Sequence, residues 1–179
     1  KDQNIIDNNI QLLEAGHDWA EANLTFKYRI PPSPLNEAQI VVNGNVSLGL
    51  GIMASGMEVC AMYPITPATS VSHYLSEVFE TVGGVVHQAE DEIAAVSSAL
   101  GASYAGALGV TCSSGPGIAL KSEAVGLAVM TELPLVVLNV QRAGPSTGLP
   151  TKTEQADLMM AMYGRNSESP LPVVAASTP

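Results

Sequence analysis

From about Asn36 onward, apolar positions cluster in short runs, each followed by a longer stretch rich in small residues. Val59–Tyr63, Val85–Gln88, Ala107–Cys112 and Leu135–Val140 have the length and composition of strands. Asn45–Ser55, Ala68–Phe79, Asp91–Tyr104 and Ile118–Thr131 have those of helices. Gly56 is placed to stop the first helix, and Gly83-Gly84 interrupts the chain before the second strand. Thr66 is the expected N-cap of the helix that follows it, with Pro67 at its first position. Glu154–Tyr163 predicts one more helix and Pro172–Ala176 a last strand. Alternation of this kind predicts an α/β fold, a three-layer α/β/α arrangement around a mostly parallel sheet. Leu135-Val-Val-Leu138, apolar on both sides, fits a strand covered on both faces.

Residues 1–36 follow a different pattern. Asn4–Asn23 can form one helix with Ile6, Ile10 and Leu13 on a face, weakened by Gly16. Tyr28-Arg-Ile-Pro-Pro-Ser-Pro34 excludes regular helix and central strand. The expectation is an N-terminal extension or linker over 1–36 arriving from an upstream segment, then one domain over 37–179. A chain that opens on Lys1 and closes on Pro179 reads as a piece of a longer polypeptide.

Composition narrows the chemistry. A net charge of −10 with only seven basic residues, no two adjacent, argues against nucleic acid as a partner. No apolar run reaches the roughly 18 residues of a membrane span, and no signal peptide is visible. Cys60 and Cys112 form no CxxC motif and read as buried core thiols of a reducing compartment, so a cytoplasmic location is expected. His17, His73 and His87 lack metal-ligand spacing.

The chemistry-bearing stretches all fall at expected strand ends, where ligands bind in open α/β sheets. Glu90, Asp91 and Glu92 open a helix, where the macrodipole favours acids whatever their role. Glu92 is followed by Ile93-Ala-Ala-Val96, an apolar surround that would suit it to proton transfer. Tyr63-Pro-Ile-Thr-Pro67 is a stiff loop that can fix the Thr66 hydroxyl. Ser113-Ser-Gly-Pro-Gly117 offers backbone amides at a helix start but lacks the lysine of a P-loop. Gln141–Thr151 is too rich in hydroxyl and turn residues for a plain connector, and Arg142 in it could bind a carboxylate or simply pair with an acid.

Four motifs in order go beyond pattern: Ala61-Met-Tyr-Pro-Ile-Thr-Pro67, Gln88-Ala-Glu-Asp-Glu-Ile-Ala-Ala95, Ser114-Gly-Pro-Gly117 and Val140-Gln-Arg-Ala-Gly-Pro-Ser-Thr-Gly-Leu-Pro-Thr151. Together they resemble the alpha subunit of 2-oxoacid:ferredoxin oxidoreductases, most closely the 2-oxoglutarate branch. The resemblance runs from about Asn36 to Pro179 and implies the pyrimidine-binding domain of a thiamine diphosphate enzyme.

It also implies roles. Glu92, or Glu90 if the alignment slips, would hydrogen-bond N1′ of the cofactor's aminopyrimidine. Tyr63, Pro64 and Ile65 would line the cofactor, and Thr66, Arg142 and Thr147 would contact the substrate. The implied activity is oxidative decarboxylation of a 2-oxoacid to its acyl-CoA, with electrons passing to iron–sulfur clusters in partner subunits and on to ferredoxin. The implied assembly is a hetero-oligomer with a beta subunit, using coenzyme A. The family's Gly-Asp-Gly diphosphate and magnesium motif and its cluster-ligating cysteines are absent from this chain, and position 143 is Ala where Gly is usual. The chain should therefore be half a site. Other readings are pyruvate or branched 2-oxoacids as substrate, a non-catalytic assembly domain, or a nucleotide binder, the last without a fingerprint.

Overall fold

The structure, a computed structural model, describes residues 2–25, 28, 30–32, 34, 37–166 and 168–177. The chain divides into two compact units, Lys1–Ile40 and Val41–Pro179. In the first, α1 (Gln3–Asn23) runs through Gly16 without a break and is capped by Asp2, whose carboxylate accepts from the Asn4 amide at 3.0 Å. None of its residues is buried. Of the proline-rich stretch Tyr28–Pro34, residues 29 and 33 lie outside the described residues, and the rest is neither helix nor strand. The expected boundary residue Asn36 also lies outside them.

The second unit contains α2 (Gly44–Ala54), β1 (Val59–Met62), α3 (Thr69–Val78), β2 (Val85–Gln88), α4 (Glu92–Tyr104), β3 (Gly109–Ser113), α5 (Gly115–Met130), β4 (Val136–Asn139) and α6 (Leu158–Tyr163). A 3₁₀ turn, Phe79–Val82, extends α3. The four strands form one sheet in the order β2-β1-β3-β4, and every pairing is parallel.

Alternation along the strands separates two faces. Cys60, Met62, Val110 and Cys112 point to one, where they form a core with Ile52 of α2, Val71 and Leu75 of α3, and Phe79. The other face takes α4 and α5: Ala95, Val96 and Ala99 of α4 are fully buried, and Lys121 of α5 reaches Thr111. The three-layer expectation holds. A Cβ on Gly109 would lie 2.1 Å from the Ala99 carbonyl oxygen, so this glycine is what lets α4 settle on β3.

The strand order carries a functional consequence. From β1 the chain steps outward to β2, returns across β1 through α4, and continues outward to β4. The order therefore reverses between β1 and β3, and the crevice at their carboxyl ends is the topological switch point. Among the described residues no helix is long and apolar enough to cross a membrane.

Several boundaries differ from the sequence reading. The helix expected from Ile118 begins at Gly115, because Pro116 fits the first turn, where no intrahelical donor is needed. The helix expected from Glu154 is confined to Leu158–Tyr163. Its expected first turn is not helical, and the Asp157 amide donates to Gln141 Oε1 (3.0 Å) instead of to a helical carbonyl. Residues 172–176 form no strand, in a segment where Pro170 and Pro172 remove two donors. Thr66 does not cap α3: the helix starts at Thr69, and the residue before it, Ala68, makes no side-chain cap. The entry is held from α2 instead, by Asn45 Nδ2 donating to the Pro67 carbonyl at 2.9 Å.

Candidate functional site

All four motif segments leave the carboxyl edge of the parallel sheet. They are tied to one another by named bonds. The Ala89 amide donates to the Met62 carbonyl (2.9 Å), fastening the acid run to the end of β1. The Val140 amide donates to the Ser113 carbonyl (2.9 Å), fastening β4's loop to the end of β3.

Within the acid run the three carboxylates have different positions. Asp91 is the N-cap of α4, its Oδ1 accepting from the Ala94 amide at 2.7 Å. Glu90 is exposed. Glu92 is the first helical residue and half-buried. Its side chain packs against the start of α5: a Cβ on Gly117 would stand 2.9 Å from Glu92 Cγ and 2.0 Å from Ser113 Oγ. The glycine of the SSGPG turn thus makes room for the glutamate. That turn already has an acid beside it, since a Cβ on Gly115 would meet the Asp157 carboxylate at 2.8 Å. Asp157 is held there by Asn139 Nδ2 at 3.1 Å.

Thr66 and Arg142 are brought into direct contact. Arg142 is 7% exposed; its Nη1 donates to the Thr66 carbonyl at 2.9 Å and its Nη2 to the Ser146 carbonyl at 3.3 Å. The guanidinium therefore clamps the loop after β1 to the loop after β4. It forms no ion pair with an acid among the described residues. Its Nε is buried with no partner among the described residues. Thr66 itself is exposed, as are Pro64 and Thr147, whereas Tyr63 is half-buried and Ile65 buried. Thr147 lies in the turn closed by the Gly148 amide on the Pro145 carbonyl (2.7 Å), beside the Ser146 carbonyl that Arg142 holds. Ala143 is buried, its amide donating to the Lys152 carbonyl at 2.9 Å.

The sequence reading missed Lys121. It is fully buried, and its Nζ donates to the Glu92 carbonyl at 2.9 Å and to Thr111 Oγ1 at 3.1 Å. Burial brings the ammonium down to about 8, while Cys112, Glu92, Asp91 and Cys60 pull it partly back. The surround of Glu92 is thus not simply apolar; Ile93 is exposed and the nearby cation is on α5. The two cysteines are free and buried, and the Cys60 thiol is pushed up by its hydrogen bond to Cys112 and by burial. His17, His73 and His87 are all exposed. Among the described residues no three acids, histidines or cysteines converge as a metal would require.

Polar atoms without partners concentrate at this edge. Ser113 Oγ, Ser114 Oγ, Asn139 Oδ1 and Arg142 Nε are buried and make no hydrogen bond among the described residues, and the Glu92 carboxylate accepts none from them. Buried groups of this kind are met by a bound water or by a ligand.

Residues 50–179 match the family described as "Pyruvate flavodoxin/ferredoxin oxidoreductase, thiamine diP-bdg". This chain belongs to that family. A 2-oxoglutarate oxidoreductase subunit KorA of Mycobacterium tuberculosis is 52% identical over 183 residues, covering 98% of this chain and 28% of that protein. A 2-oxoglutarate synthase subunit KorA of Archaeoglobus fulgidus is 44% identical over 138 residues, 77% of this chain and 40% of that protein. The solved 2-oxoglutarate:ferredoxin oxidoreductase from Magnetococcus marinus, with 2-oxoglutarate, coenzyme A and succinyl-CoA bound, superposes with a TM-score of 0.78. That match is 45% identical and covers 90% of this chain and 28% of the solved one. The chain therefore spans less than a third of the first of these relatives and of the solved chain. The fold of this family member is that of its thiamine diphosphate-binding domain, as the resemblance implied.

The described residues fit one end of that cofactor. A half-buried carboxylate with no protein partner suits the aminopyrimidine. Nothing among them offers the clustered acids that would hold magnesium at the diphosphate.

Proposed function

We propose that this chain supplies the pyrimidine half of the active site of a 2-oxoacid:ferredoxin oxidoreductase, with 2-oxoglutarate as the substrate. The observation that carries the reading is the Glu92 carboxylate. It stands unpartnered in the notch left by Gly117, at the switch point of the sheet. The identity to 2-oxoglutarate enzymes supports the substrate.

When bound, thiamine diphosphate supplies a carbon nucleophile and an electron sink for cleaving the carboxylate from a 2-oxoacid. Glu92 holds a proton between its carboxylate and N1′ of the ring, which sets the basicity of the far side of the pyrimidine. Tyr63, Pro64 and Ile65 make the wall beside it. The Thr66 hydroxyl and the Arg142 guanidinium take the substrate's oxygens, and Thr147 closes the same side. The Nη atoms of Arg142 also fix the two loops. In the complete complex the substrate would lose carbon dioxide, its acyl group would pass to coenzyme A, and iron–sulfur clusters of partner subunits would carry the two electrons to ferredoxin. A beta subunit carries the diphosphate and magnesium site, and the assembly works in the cytoplasm. Residues 1–36 are the junction with an upstream segment.

Consumption of 2-oxoglutarate, pyruvate and branched 2-oxoacids by the complete complex, each with coenzyme A and ferredoxin, tests the reading. Preference for 2-oxoglutarate in kcat/KM supports it. Preference for pyruvate keeps the site and overturns the substrate. No turnover of any 2-oxoacid overturns the function.

A further inference from the structure

Lys121 has no part in the chemistry described so far, yet it is fully buried and ends on the residue that carries the site. Four observations bear on its role. Its stem lies on the inner face of α5, where Gly117, Lys121 and Ala128 are buried at helical spacing. Its Nζ makes two hydrogen bonds, one to Thr111 Oγ1 in the middle of β3 and one to the Glu92 carbonyl. Those bonds tie the first turn of α4 to the sheet one residue after its cap. Glu92 is packed by Gly117, one turn earlier on Lys121's own helix, so the same element fixes its backbone and its side chain.

A hydrophobic side chain would fill this volume with less desolvation cost. The amine therefore has a reason beyond packing. We infer that Lys121 is a positioning residue that sets where the Glu92 carboxylate stands when the cofactor ring meets it. The inference rests on the reading of Glu92 as the pyrimidine's carboxylate. The charged and titratable groups acting on the ammonium are Glu92 and Asp91 at the start of α4, Cys112 on β3 and Cys60 on β1. Of these, Glu92 is the half-buried acid without a hydrogen-bond partner of its own; Asp91 is occupied by the α4 cap. Removing the amine frees the first turn of α4 from β3 and lets the Glu92 carboxylate leave its position.

The complete complex carrying Lys121→Met, Lys121→Gln or Glu92→Gln provides the test, with three readouts: kcat and KM for 2-oxoglutarate taken separately, calorimetric affinity for thiamine diphosphate, and melting temperature. Glu92→Gln comes first; turnover that survives it overturns the underlying assignment whatever Lys121 does. Given its loss, Lys121→Met is expected to lower kcat and to weaken cofactor binding several-fold at an unchanged KM for 2-oxoglutarate, with the melting temperature at pH 7 raised. Lys121→Gln, a donor without charge, should recover kcat and cofactor affinity in part. Unchanged kcat together with unchanged cofactor affinity in Lys121→Met would show that the lysine only fills space. Activity that falls only in step with melting temperature would show the same. Should the Lys121→Met complex fail to assemble, Thr111→Val, which removes the other acceptor of Nζ and leaves Glu92 untouched, carries the same comparison.

Discussion

At the scale of single residues, the site depends on partners that sequence spacing does not display. Arg142 is the clearest case. As a residue type it promises a bidentate grip on a carboxylate, but two of its nitrogens hold backbone carbonyls of neighbouring loops and one remains. Lys121 is the opposite case, a charge that looks solvated in the string Ala-Leu-Lys-Ser-Glu and is fully buried. The available signal was its register: Gly117, Lys121, Ala124 and Ala128 recur at three- and four-residue steps, and the small residues leave room for a lysine stem. Its burial also makes a stability prediction. The ammonium titrates near 8 in the folded chain against 10.5 for an ordinary lysine. Below pH 8 both states carry the proton and the full desolvation cost is present. Between about 8 and 10.5 the unfolded chain binds more protons, so the folded chain gains stability as pH rises. Lys121→Met lacks this cost. Its melting temperature should exceed the parent's at pH 7, and the gap should close as pH rises toward 10.5. A gap independent of pH would contradict the buried charge.

At the scale of elements, the caps and turns do the positioning. Asp91 accepts from Ala94 and thereby fixes the residue at which α4 starts, which is Glu92. Asp91→Ala should cost about 1 kcal/mol, seen as a melting temperature lower by about 2–4 °C in a chain of this size. It should also lower kcat more than the stability loss explains, because Glu92 would swing with the frayed turn. Parallel melting curves and steady-state kinetics on the complete complex check both.

The strands and the four central helices were legible because apolar runs and small-residue stretches alternate with clean breaks at Gly83-Gly84 and around the motif loops. The misread elements are those where side chains compete with the backbone. The Asp157 amide bonds to the Gln141 side chain, and the last helix starts only after it. Asn45, not Thr66, holds the entry to α3. Such long-range side-chain bonds leave no periodic trace. The convergence of Thr66 with Arg142 was legible only through the parallel-sheet rule, which places every strand's carboxyl end on one edge.

At the scale of the whole molecule, the proposed function makes this chain one half of a thiamine diphosphate site. The carboxyl edge holds an unpartnered acid and several orphaned polar atoms, but no cluster of metal ligands among the described residues. The 179 residues cover 28% of the Mycobacterium tuberculosis relative. Residues 1–179 alone, supplied with thiamine diphosphate and magnesium, should therefore turn over no 2-oxoacid, and activity should appear only with the diphosphate-binding partner present. Turnover by the isolated chain would mean that it holds a complete site.

The most direct measurement is steady-state turnover of 2-oxoglutarate by the complete complex in which Glu92 is replaced by Gln, with assembly and cofactor content checked on the same sample. A fall in kcat of about 10²–10⁴-fold, with the complex intact, is the expected result. Undiminished turnover by an intact Glu92→Gln complex would contradict it and leave this domain with a role in assembly alone.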